Sequence, residues 1–76
     1  MGLEDIEEIK INLKDLDELL NEREINLKDT ISLFSHIQAK YNLLIKEKGD
    51  MYFNKNYPEI LTKINELKRK IIDYSN

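Results

Sequence analysis

The sequence predicts an all-α fold, a three-helix antiparallel bundle, on three observations. Apolar residues recur at alternating spacings of three and four in three separate runs, the signature of amphipathic helices. Residues that break helices are scarce, with two Gly and one Pro among 76 positions. Apolar residues make up 41% and charged residues 36%, enough to fill one modest core and to coat it. A single helical domain over residues 1–76 follows, with helices at about 3–21, 27–48 and 58–75.

The first run places Ile6, Ile9, Leu13, Leu16 and Leu20 on one face, widened by Leu19, with Ile11 off the stripe. Glu4, Asp5, Glu7 and Glu8 crowd its opening turns, where carboxylates oppose the positive pole of the helix dipole. The second run carries Leu27, Ile31, Phe34, Ile37, Tyr41, Leu44 and Ile45. It ends in Lys46-Glu47-Lys48-Gly49, with the glycine suited to a positive φ just past a helix C-terminus. The third begins near Pro58, whose missing N–H costs nothing in a first turn. Its stripe is Tyr57, Ile60, Ile64, Leu67, Ile71 and Tyr74, flanked by Leu61 and Ile72.

The joint at residues 21–26 is the ambiguous one, because it holds neither Gly nor Pro. Asn26 can cap a new helix, with Asp29 three residues on and Ile25 as a staple residue before it. Against this, residues 6, 13, 20, 27, 34 and 41 are all apolar at heptad spacing, so one helix over 3–48 is the alternative. That long helix plus a short one would form an oligomeric coiled coil. Arg23 and Thr30 are polar at the partner heptad site, where a turn would fall, and they favour the break. Charge agrees: residues 1–24 carry nine acids and three bases, residues 25–76 nine bases and six acids, so an acidic first helix is expected beside the last.

Composition excludes several chemistries. Without Cys there is no disulfide, cysteine zinc site or thiol nucleophile. The one histidine, His36, has no second histidine and no carboxylate one helical turn away, so no metal is expected. Ser32, Ser35 and Ser75 lie in no nucleophile motif, and no glycine-rich loop offers a phosphate cradle, so neither catalysis nor a cofactor is expected. No apolar run is long enough for a membrane span and no secretory core is present, which points to a cytoplasmic chain with no membrane partner. The absence of Val beside abundant Ile, Lys and Asn reads as codon bias from an AT-rich genome.

Two features remain as candidate sites. Residues 50–56 read as a loop, yet Met51, Tyr52 and Phe53 are three bulky apolar residues in succession, close to Tyr57. Either they fold over the end of the bundle as a cap, or they anchor a partner. Lys63, Lys68, Arg69 and Lys70 form the one basic cluster, on the helix that also bears Tyr57 and Tyr74. It is a possible basic patch for nucleic acid; pairing with the acidic first helix is the simpler use. With a net charge of −3 the chain is a poor nucleic-acid binder on its own.

The stretch Glu24-Ile25-Asn26-Leu27-Lys28-Asp29-Thr30-Ile31-Ser32-Leu33-Phe34 resembles the hairpin of the exonuclease VII small subunit, and Ile6 to Leu20 fit that family's first helix. Arg23 and Ile37 stand where that family has glycines. This resemblance implies an accessory subunit of a nucleic-acid enzyme. Thr30-Ile31-Ser32-Leu33-Phe34 also resembles a helix of the microtubule-interacting and trafficking domain, which implies a three-helix bundle.

The expected function is that of a small, non-catalytic protein–protein interaction module: a regulator, inhibitor, adaptor or accessory subunit. It would use a helical face or the 50–56 segment to meet another protein, or itself as a homo-oligomer. The alternatives are an accessory subunit of a nucleic-acid enzyme, whose binding would fall steeply with salt, and a structural helical oligomer.

Overall fold

A computed structural model describes residues 2–75, with side chains from residue 4. Among the described residues all regular structure is helical: α1 (Gly2–Leu20), α2 (Leu27–Lys48), α3 (Asp50–Asn56) and α4 (Pro58–Ser75). These residues form four helices rather than three, and the segment expected as a loop at 50–56 is α3. The three long helices form the body, which measures 36 × 20 × 16 Å. That length is what helices of about 20 residues give at roughly 1.5 Å per residue.

Ion pairs fix the directions. Lys40 of α2 meets Glu8 and Asp5 of α1, although only a short turn separates Leu20 from Leu27, so the two helices run antiparallel. Lys10 lies over the Tyr57 ring at the start of α4, and Lys70 near its end reaches Asp17, so α4 runs parallel to α1.

The break between α1 and α2 is built from local hydrogen bonds. Asn21 N–H donates to the carbonyls of Asp17 and Glu18, each at 3.1 Å, and closes α1. Asn26 caps α2, with its Oδ1 accepting from the Asp29 N–H at 3.1 Å, a contact that contributes about 0.5–2 kcal/mol. The uninterrupted helix over 3–48 is thereby excluded, despite its unbroken heptad. Thr30 is fully buried, and its hydroxyl donates to the Asn26 carbonyl at 2.8 Å, so burial leaves no orphan donor.

The second joint is one residue. Gly49 ends α2, with its N–H donating to Ile45 O at 2.7 Å, and takes φ 93°, ψ 149°. This region lies beyond the left-handed helical well and is open essentially to glycine alone.

The core holds Ile6, Ile9, Leu13 and Leu16 of α1, Ile37, Tyr41 and Leu44 of α2, and Ile60, Ile64, Leu67 and Ile71 of α4, closed at one end by Phe53 of α3. Each such aliphatic side chain gains about 1.5–3 kcal/mol from burial. Two stripe positions depart from expectation. Ile31 is exposed, at the edge of α2 turned away from α1. Tyr74 is exposed because Lys70 already reaches Asp17, so the next turn of α4 runs past the end of α1.

Candidate functional site

The α3 surface is made by a helix too short to be stable alone. Three consecutive helical residues point in three directions, so Met51, Tyr52 and Phe53 cannot share a fate. Phe53 is turned inward and is 1% exposed, its ring edge-on to Tyr41 with centroids 5.6 Å apart. Of the two alternatives, capping describes Phe53, and the three residues do not act as one group. Met51 is turned outward and is 86% exposed. Tyr52 lies between, exposed on one side and edge-on to Phe53 at 5.7 Å on the other.

Tyr57 follows α3 and is half-buried, 5.8 Å from the Phe53 ring and 6.2 Å from that of Tyr52. Its N–H donates to the Phe53 carbonyl at 2.8 Å, which joins the end of α3 to the start of α4. Asn56 Nδ2 donates to Tyr52 O at 2.9 Å and holds the last turn of α3. Two lysines sit over the outer rings: Lys10 is 5.6 Å from the centroid of the half-buried Tyr57 and Lys48 is 5.8 Å from that of the exposed Tyr52. Such contacts stabilise by about 0.5–1 kcal/mol at exposed sites. Burial pushes the Tyr57 phenol above its ordinary pKa, helped by the neighbouring Tyr52; burial and then the Asp50 carboxylate do the same to Tyr41. Both therefore stay neutral through the physiological range. The result is a rigid aromatic platform rimmed by ammonium groups, with a flexible thioether at its outer edge.

The basic cluster does not form one surface. Lys63 and Lys70 both turn to Asp17, at 3.8 and 3.6 Å, as the expected match of an acidic first helix to the last requires. Lys68 and Arg69 are exposed, in no ion pair among the described residues, and as successive helical residues they diverge from Lys70 and from each other.

Between α1 and α4 runs a shallow groove of about 400 Å³, floored by Leu13 and Ile60 and rimmed by Lys10, Lys14, Lys63, Asp17 and Glu59. Its rim charges are of both signs, three bases to two acids.

No local pattern announces the contact between Lys40 and Glu8, which are 32 positions apart. Hydrogen bonding to Lys40 holds the Glu8 carboxyl below its usual pKa, and the same bond raises the Lys40 ammonium. His36 Nε2 lies 3.8 Å from Glu8 on the same side of α2, exposed to solvent. Among the described residues no group of three or more His, Cys, Asp or Glu side chains converges as a metal site would need. Among the same residues no helix is long and apolar enough to cross a membrane. Ser75 Oγ donates to the Ile71 carbonyl at 2.9 Å, a local helical contact.

No protein-family model, no curated protein and no solved structure matches the chain significantly.

Proposed function

We propose that the chain is a small, non-catalytic protein-binding module whose contact surface is the outer side of α3, with Met51 as anchor and Tyr52 and Tyr57 as the platform behind it. The observation that carries this reading is the division of labour within α3. Phe53 alone closes the core, so the fold has no use for the apolar surface of Met51, which is 86% exposed. Exposed Met and Tyr are residue types that interface cores favour, and a flexible thioether adapts to the shape it meets. The joint at Gly49 and the cap at Asn56 hold this surface on a rigid end of the bundle. The accessory-subunit reading has less support, because the bases on which nucleic acid would rest point apart.

The test is Met51→Ser together with site-specific cross-linking. Met51→Ser is expected to leave thermal stability within about 0.5 kcal/mol of the parent, as a surface change does. A photoreactive benzoylphenylalanine at position 51 should give discrete protein adducts in an extract of the source cells. Excess unlabelled parent chain should compete them away, whereas excess Met51→Ser chain should not. Equal adducts from a probe at Thr62, on an exposed polar position of α4, would sink the proposal.

A further inference from the structure

Counting by helical turns locates every carboxylate of α2 and α4. His36 and Lys40 reach Glu8, so their side of α2 faces α1. Asp29 precedes His36 by two turns and Glu47 follows Lys40 by two turns, which puts both on that same side. On α4, Glu59 rims the groove toward α1, and Glu66 contacts Lys63 and Lys70, the two bases turned to Asp17. Asp73 lies two turns beyond Glu66. The acids of both helices are thus drawn toward α1.

The seam on the far side of the molecule, where α2 and α4 adjoin each other opposite α1, is left without a carboxylate from either. It carries Ile31, Gln38 and Ile45 in one row and Leu61, Lys68 and Ile72 in the other. Ile31 and Ile72 are 45% and 48% exposed, Lys68 is exposed, and Arg69 stands at the rim. The outward face of α1 has the opposite character. Glu4, Glu7, Asp15 and Glu18 outnumber the single base Lys14 around Ile11, which is 59% exposed, and Glu7 also meets Lys10 at 3.9 Å.

One copy of the chain therefore bears, on opposite sides, an apolar residue in a mainly acidic face and an apolar seam that carries Lys68, with Arg69 turned further outward at its rim. We infer that the chain associates with a second copy of itself, the outward face of α1 in one molecule lying on the α2–α4 seam of the next. Ile11 seats between Ile31 and Ile72, and the α1 carboxylates meet Lys68 within the seam and Arg69 at its outer rim, about 100° round the helix from Lys68. Like faces do not pair: two α1 faces repel, and two seams have no acids to offer each other. The contact joins different patches, so it does not close on itself and adds molecules in a line. Exposed ion pairs contribute only about 0–1 kcal/mol each, so the association is weak and sensitive to salt.

The experiment is light scattering and sedimentation velocity on the full chain, up to about 1 mM protein. In low salt the average mass should climb continuously from 9.1 kDa with concentration, with no plateau at a dimer. It should return toward the monomer as salt rises from about 0.05 to about 0.5 M. Lys68→Glu with Arg69→Glu, and separately Glu4→Lys with Glu18→Lys, should each abolish the rise. An equimolar mixture of the two variants should restore it, because each then presents what the other lacks. Circular dichroism checks that both variants fold, and Ile11→Ser, at an exposed position, supplies a third test with no charge change. A mass fixed at the monomer in low salt, a plateau at twice the monomer, or a mixture that stays monomeric would each overturn the inference.

Discussion

Phe53→Ala is expected to lower the melting temperature by well over 10 °C. The side chain is 1% exposed and its ring contacts those of Tyr41, Tyr52 and Tyr57. Truncating such a phenylalanine costs about 3–5 kcal/mol, the lost burial plus the cavity left behind. A chain of this size has a total stability of only about 4–11 kcal/mol, and each kcal/mol is worth about 4–8 °C. Collapse of the cavity is limited, because Gly49 and Tyr57 anchor α3 at both ends. Thermal unfolding followed by circular dichroism at 222 nm (the helix signal) measures this directly. A drop under about 4 °C would mean that Phe53 is not part of the core. Met51→Ser, two positions away, is the internal control, and the contrast between the two is the sharpest statement of how α3 is divided.

Gly49→Ala is expected to cost about 1–3 kcal/mol, entirely through the backbone. A Cβ on Gly49 would meet no atom within 4 Å, so crowding contributes nothing. What remains is φ 93°, ψ 149°, which an L-residue reaches only under strain. Because the cause is handedness, it has a clean control. A chemically synthesised chain with D-alanine at position 49 adopts positive φ readily and loses less entropy on folding. It should match the parent or exceed it by about 0.4–1 kcal/mol. Paired thermal melts of the two alanine epimers decide the matter. Equal destabilisation by both would show that space, rather than backbone conformation, limits the site.

The sequence revealed the long helices because each carries its stripe over four or more turns, and their observed bounds fall within a residue of those expected. It also revealed both joints through the chemistry that makes them, Asn26 as a cap and Gly49 as a positive-φ residue. It did not reveal α3. Seven residues are under two turns, too few for a period to emerge, and a run of three apolar residues reads the same in a loop or a helix. The fates of Met51, Tyr52 and Phe53 depend on which of them points at Tyr41, and that is decided by the docking of α3 rather than by composition. Lys63, Lys68, Arg69 and Lys70 read as one cluster in the sequence, but helical geometry separates neighbours, and Lys63 and Lys70 turn to Asp17 as the pairing alternative has it. Thr30, which with Arg23 marks the break, lies inside α2 rather than in the turn itself. It is polar by type, but its hydroxyl is satisfied within its own helix, so it buries as an aliphatic residue would.

The turn at residues 21–26 has one further consequence, for how quickly the native state is found. It brings α1 and α2 together by closing a short loop, and Gly49 passes the chain on to α3 and α4 with no loop at all. Short closures cost little entropy, so most of the packing is won between neighbours along the chain and only the docking of α4 on α1 spans a distance. Helical topologies of this kind fold in microseconds to milliseconds. Once opened, the molecule should therefore re-form within that window, and temperature-jump relaxation near the melting midpoint is the observable that corresponds to it.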